Sequence, residues 1–541
     1  MLLQPVKFYG RRKPFCLNIQ LKGHRFTMPR FPKLATWVLL LPVLLFILLS
    51  FHENPFNPVT RLKHFFQLRL PGHKRLDGLL TADFPGNSCL SRYQSVLYRK
   101  SSPHKPSSYL VAKLRSYEEL HKRCGPHTRL YNRAMKQIKS GQIDSSSECN
   151  YVIWVAFCGM GNRILSITSA FLYALLTNRV LLINEEPEME DLFCEPFPHA
   201  SWILPNDFPF KDQFDSFKQN YAYSYGNMLK KKAITASMES LPSYLHLYLS
   251  HDYDHHDKLF FCNQDQTLLR KIPWLIMKSN VYFLPSLFLI SSFEEELNKL
   301  FPDKETVFHH LGRYLFHPSN LVWGQITGYY KQYLAKADER IGIQLRLFDK
   351  KTSSSQFMDQ ILACTLKEKL LPEVNMSKTI AAPSENQRSK AVLITSLIPD
   401  YFDKLNDMYL NHPTLSRETI SVYQPSHEEK QHSDNNLHNM KAWSEIYLLS
   451  LTDVLVTTAW STFGYVAQGL GGMRPWILYK ISNGQIPDPP CGRALSIEPC
   501  YHAPPIYDCK AKTEVDTATL VPHLKHCEDM SWGLKLFNYS H

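Results

Sequence analysis

No hydrolase signature occurs in the 541 residues: GxSxG and HExxH are both missing, and no cysteine has a locally suggestive catalytic partner. Hydrolases built on those motifs are excluded. Beyond about residue 85 there is no low-complexity tract and no internal repeat. With 44% apolar and 20% charged residues, a disordered or collagen-like chain is excluded as well. Only one long uncharged apolar run exists, which excludes a multi-span transporter. Twelve cysteines are too sparse at this length for a small disulfide scaffold. Acids are missing from residues 1–33, which hold eight Lys/Arg (Lys7, Arg11, Arg12, Lys13, Lys22, Arg25, Arg30 and Lys33). The net charge is 61 − 49 = +12, so the remaining 508 residues share only about +4. The basicity is a tail and not a nucleic-acid-binding surface.

What is present begins with that apolar run. Residues 34–51, LATWVLLLPVLLFILLSF, span roughly 27 Å as a helix, enough for a thin bilayer. A membrane helix tolerates the internal Pro42. The 33-residue basic region is too long for a cleaved signal, and no small-residue cleavage site follows. The reading is a signal anchor, with the basic tail 1–33 cytosolic and everything after the span in a lumen. Cys16 is then cytosolic and the other eleven cysteines are lumenal, where disulfides persist. Cys491, Cys500, Cys509 and Cys527 lack zinc-site spacing and read as structural bridges of undetermined pairing. Eleven is odd, so one lumenal thiol is expected to be free or to join two chains as a homodimer. Asn375 and Asn538 open glycosylation sequons. Residues 52–84 read as a stem.

Two stretches open α/β units. Tyr151–Phe157 is a continuous apolar run that suits a buried parallel strand. A glycine turn at Gly159-Met-Gly161-Asn162-Arg163, a helix and a second strand RVLLI follow. The second unit begins at Arg340, where Ile341, Ile343, Leu345 and Leu347 alternate with Gly342, Gln344 and Arg346. Ala391–Leu397 reads as the next strand, and 401–433 as polar loop or helix surface. Residues 438–451 read as a helix with Lys441 and Glu445 as a surface pair. Strands at 453–457 and 475–479 flank the turn AWSTF. The expectation is two doubly wound α/β domains, 85–330 and 331–541, facing a cleft.

Three constellations suit an anionic ligand. The turn at Gly161, Asn162 and Arg163 offers close backbone approach and free helix-start N–H groups, against the plainer reading of a tight turn with Arg163 in solvent. Arg346 lies near a strand end and suits a diphosphate, or else a pair with Asp349. Ser461 and Thr462 open a helix, where they cap it, hold a phosphate, or both. The run His251-Asp-Tyr-Asp254-His-His256-Asp257 holds possible metal ligands but reads as a solvated loop.

Several long blocks in one order, among them CGMGNRILSITSAFLYALLTNRVLL, IGIQLRLF and HNMKAWSEIYLLSLTDVLVTTAWSTFGYVAQGLGGMRPWILY, resemble the plant galactoside 2-α-L-fucosyltransferases, the xyloglucan fucosyltransferases included. The likeness runs from about residue 80 to the end. It implies a GT-B-like fold in a single-pass type II Golgi membrane protein. It also implies inverting transfer of fucose from GDP-β-L-fucose to O2 of a terminal galactose, with no metal or other cofactor. By the same match Arg346 binds the pyrophosphate, and Ser461, Thr462 and Phe463 line the GDP site. Gly161, Asn162 and Arg163 face the cleft from the first domain. Asn280 stands where the family carries an acid, and an amide cannot accept the acceptor's proton. Asp529 matches a family acid and is a candidate base; read from the residues alone it is equally a helix-start or surface carboxylate.

Two other readings stay open. The acceptor is another wall glycan such as arabinogalactan, or, with Asn280 as the motive, the chain is a non-catalytic Golgi protein that binds glycan or GDP-sugar.

Overall fold

In the computed structural model the described residues are 75–538, apart from 82, 85–87, 142–147, 185–187, 215, 236, 239–240, 348–352, 379–386, 429, 433–434 and 483. The tail 1–33, the span 34–51, most of the stem, Cys16 and Asp349 lie outside them. Among the described residues no helix is long and apolar enough to cross a membrane.

The first sheet is parallel throughout. Its strands are β1 (Asn150–Val155), β2 (Arg179–Asn184), β3 (Tyr244–Tyr248) and β4 (Trp274–Lys278), in the order β2-β1-β4-β3. The second holds β5 (Glu339–Leu345), β6 (Ser389–Ser396), β7 (Thr419–Tyr423), β8 (Val454–Thr458), β9 (Trp476–Leu478) and β10 (Cys491–Arg493), in the order β10-β9-β8-β5-β6-β7. Only the edge strand β10 runs antiparallel. Six helices matter to the site: α1 (Met160–Thr177), α2 (His255–Lys258), α3 (Val307–Leu315), α4 (Asp400–Asn411), α5 (Asn436–Leu449) and α6 (Thr462–Gly471).

Apart from the edge strands β7 and β10, both sheets are buried on both faces, as parallel sheets require. The apolar run at β1 is buried at five of six positions, and α1 is buried nearly all round. β5 departs from the alternation read in its sequence, since its last five residues are all buried. Its polar positions are absorbed locally. A side chain at Gly342 would meet Thr452 at 2.9 Å, and Gln344 accepts a 2.8 Å bond from Thr457 Oγ1.

Other expectations change as well. The 401–433 region holds most of α4 and the strand β7, whose alternating burial marks a half-covered edge strand. Lys441 and Glu445 do not pair. Lys441 donates to Glu428 at 2.5 Å, whereas Glu445 is buried and accepts from Ser426. The run 251–257 is a solvated turn only at its start, where His251 and Asp252 are exposed; the rest opens a short helix. Asp254 caps α2, accepting from the His256 and Asp257 N–H groups at 2.8 and 3.1 Å, and Asp257 is 1% exposed.

Between pairs of described residues, five disulfides join Cys89–Cys194, Cys124–Cys149, Cys262–Cys509, Cys364–Cys491 and Cys500–Cys527. All four clustered C-terminal cysteines are therefore bridged. No cysteine is free among the described residues, unlike the odd thiol expected from the count. Cys158, the eleventh, is also disulfide-bonded, and Cys16 lies outside the described residues. From about residue 498 the chain returns to the first sheet's side. Tyr501, Leu534 and Leu536 share a core with α1 and β4, and residues 75–541 form one unit.

Candidate active site

The carboxyl ends of the two sheets meet. After β1 the chain turns through Cys158, at φ 66°, into Gly159, which starts α1 without a side-chain cap. After β8 it turns through Trp460, at φ 65°, into Ser461, which starts α6, also with no side-chain cap bond. The two helix starts touch. A Cβ on Gly161 would lie 2.5 Å from Thr462 Oγ1, so only glycine allows this approach. Thr462 Oγ1 donates to Asn162 Oδ1 at 3.4 Å, and Asn162 Nδ2 donates to the Asn280 carbonyl at 2.8 Å.

Two helix N-termini thus converge with no side chain capping either from its own N-cap position. Each carries unsatisfied N–H groups and the positive end of a helix dipole. Ser461 is buried at the N-cap position, so of the readings held for it the capping role is not taken up by its side chain. Phe463 packs half-buried against the main core beside it. Arg346 stands one residue past β5, the neighbour of β8. Its backbone N–H donates to Thr458 Oγ1 at 3.0 Å, which ties it to the end of β8, and its Nη2 donates to Gln431 at 3.1 Å. Burial lowers its pKa from the ordinary guanidinium value. Arg163 is not solvated. It is 6% exposed, and its Nε donates to the Cys158 carbonyl at 2.9 Å, bracing the glycine turn.

Asp529 is neither a helix start nor a bare surface acid. Its Oδ2 accepts from the Trp460 backbone N–H at 2.9 Å and from Tyr465 Oη at 2.5 Å. Its carbonyl accepts from Trp460 Nε1 at 2.5 Å. It holds the left-handed Trp460 turn, and with it the start of α6. The one metal-like grouping among the described residues is Cys500, Cys527 and Asp529, and its two sulfurs are joined to each other. They are not thiolates and cannot serve as ligands of that kind.

Sequence reasoning named Asn280 and the run from His251 separately and did not bring them together. Asn280 follows β4, is 5% exposed, and accepts at Oδ1 from Ser250 Oγ (2.8 Å) and the His251 N–H (3.1 Å). The sequons sit differently. Asn375 turns on itself, accepting from the Ser377 N–H at 3.1 Å, while exposed Asn538 is engaged by Asp303 at 2.6 Å.

The xyloglucan fucosyltransferase family model matches residues 59–510. The galactoside 2-α-L-fucosyltransferase of Pisum sativum is 58% identical over 473 residues, 87% of this chain and 83% of its own length. That of Arabidopsis thaliana is 55% identical over 515 residues, covering 93% and 92%. The solved structure of an Arabidopsis thaliana FUT1 point mutant in complex with GDP superposes with a TM-score of 0.80 at 59% identity, over 86% of this chain and 100% of that one. The family match over most of the chain and this likeness to its members show that the chain belongs to the xyloglucan fucosyltransferase family.

Proposed function

We propose that the chain is an inverting galactoside 2-α-L-fucosyltransferase that moves L-fucose from GDP-β-L-fucose to O2 of a terminal galactose on a xyloglucan side chain. The meeting of two side-chain-uncapped helix starts beside Arg346 carries this reading. Breaking the fucosyl C1–O bond leaves an oxocarbenium-like sugar and builds negative charge on the departing diphosphate. Arg346 and the N–H groups near Ser461 and Thr462 supply positive field where that charge grows. Gly161, Asn162 and Arg163 build the facing wall, and Phe463 flanks the nucleotide. That a similar fold was solved in complex with GDP supports a nucleotide site in this fold.

The acceptor's O2 proton has no carboxylate waiting at 280. Asp529 has Oδ2 committed to the Trp460 turn, so we assign it to positioning. In this reading water takes the O2 proton as the new C1–O2 bond forms. The binding-only alternative draws on the same amide at 280, and one assay separates the two.

Residues 34–51 are proposed as the anchor of a type II Golgi enzyme, with 75–541 lumenal. Five disulfides among the described residues support an oxidising compartment. Of the sequons, Asn375 is the one proposed to carry glycan readily, because Asn538 would first have to release Asp303.

The test uses the full chain with GDP-fucose and a panel of galactosylated xyloglucan, arabinogalactan and buffer, followed by mass spectrometry of the glycan and by released GDP. Fucose on xyloglucan is expected, and Arg346→Ala should lower kcat by about 10²–10³. GDP-fucose binding with no transfer and no GDP release would select the binding-protein reading. Transfer to arabinogalactan alone would move the acceptor.

A further inference from the structure

Three neighbouring strand ends of the first sheet meet at one amide. Asn280 follows β4, Ser250 and His251 follow β3, and Cys158 follows β1, in the sheet order β1-β4-β3. The Asn280 amide has only one orientation that satisfies its neighbours. The His251 backbone N–H lies 3.1 Å from one end, and a backbone N–H only donates, so that end is the oxygen. Ser250 Oγ donates to the same oxygen at 2.8 Å. The other end, Nδ2, therefore donates, and it lies 2.8 Å from His251 Nδ1. An N–H aimed at Nδ1 needs a lone pair there. The neutral imidazole must then carry its proton on Nε2. His251 is exposed. Its support, Asn280, holds Asn162, and Asn162 meets Thr462, so the ring stands on the wall of the same cleft.

We propose that His251 is an acceptor-positioning residue, fixed by Asn280 as an Nε2–H donor to a hydroxyl oxygen of the acceptor sugar. The inference rests on the fucosyl-transfer reading above. A carboxylate at 280 would do the opposite. It would accept from Nδ1–H and leave a lone pair on Nε2, the arrangement of a general base. One residue thus decides whether the ring binds or deprotonates, and here it binds. Its contribution belongs in acceptor KM and not in kcat.

The experiment compares the full chain with His251→Ala and His251→Gln, using GDP-fucose and galactosylated xyloglucan, with GDP affinity by calorimetry as the check on folding. Glutamine sets an N–H near the place of imidazole Nε2 and cannot take a proton. The alanine variant is expected to raise acceptor KM about ten-fold, the size of one lost hydrogen bond, with kcat nearly held. The glutamine variant should recover most of that KM. An alanine variant with unchanged KM overturns the proposal. So does a large fall in kcat shared by the alanine and glutamine variants, since that marks a base. If the unaltered chain transfers to no acceptor, the fucosyl-transfer reading fails on that arm alone and takes this proposal with it; failure confined to the variants leaves the enzyme standing.

Discussion

Gly161 sets the distance between the two helix starts. A methyl there would lie 2.5 Å from Thr462 Oγ1 and 2.9 Å from the Thr462 carbonyl carbon, and backbone cannot step aside by changing rotamer. Gly161→Ala must therefore push α1 and α6 apart, an overpacking that costs about 1–3 kcal/mol. If the spacing of these N–H groups builds the diphosphate site, GDP affinity falls by more than the loss of stability explains. Calorimetric titration with GDP and a thermal melt of the same sample measure both. Gly324→Ala is the control, because nothing lies within 4 Å of the added carbon and alanine favours a helix. A Gly161→Ala variant that melts lower but binds GDP normally would detach the helix starts from the site.

At the scale of the element, the turn between β8 and α6 is shaped from outside itself. Trp460 sits at φ 65°, a conformation costly for a residue with a side chain, and Asp529 holds it through the backbone N–H, the indole N–H and the Tyr465 hydroxyl. Asp529→Asn keeps an oxygen for the two Oδ2 bonds, whereas Asp529→Ala loses both. A positioning role predicts that the asparagine variant retains most of its kcat and that alanine loses about ten-fold or more. Steady-state kinetics on both settle it, since a catalytic base would fail equally in either. The turn also marks where sequence legibility ends. β1, β2, β6, β8, α1 and α5 were readable because continuous apolar runs and a glycine turn are local signals. β7 was hidden because an edge strand with one open face has few apolar residues to count. α2 was hidden because a four-residue helix rests on one capping aspartate and not on periodicity. Arg346 and Ser461 were singled out from their places at strand ends, but their nearness depends on β5 and β8 being neighbours. The same holds for His251 and Asn280, which parallel pairing joins across 29 residues. Register and strand order leave no trace in a single sequence, so Asp529 read as a base or a surface acid until its partners were in view.

At the scale of the molecule, buried titratable groups of both kinds set a pH window. Glu498 is fully buried, accepts from Tyr282 Oη and the Phe308 N–H at 2.6 Å each, and has its pKa pushed up to about 8 by burial. Burial also raises Glu118, Glu445 and Asp257 to about 7. The unfolded carboxyls titrate near 4. Between there and about pH 7–8 the native state holds more protons, so these groups lose stability as pH rises. Buried histidines act in the opposite sense. His121, His310 and His523 are lowered to about 4, His246 to about 3, and His309 and His317 lie well below the ordinary value, in each case chiefly through burial. Below about pH 6.5 the unfolded chain takes up protons that these rings refuse, so stability falls as pH drops. Above that pH only the carboxyls act; below it the histidines outnumber them. A melting temperature with its maximum near pH 6–6.5 and a decline toward pH 8 is the expected outcome of calorimetry from pH 5 to 8.5 at fixed ionic strength. Glu498→Gln keeps an acceptor oxygen for Tyr282 and Phe308 and removes the proton requirement, so it should flatten the alkaline arm while leaving the acid arm in place. A variant whose alkaline arm is as steep as that of the unaltered chain would mean that Glu498 is not the carboxyl that limits it, and Glu445→Gln would then be the variant to compare.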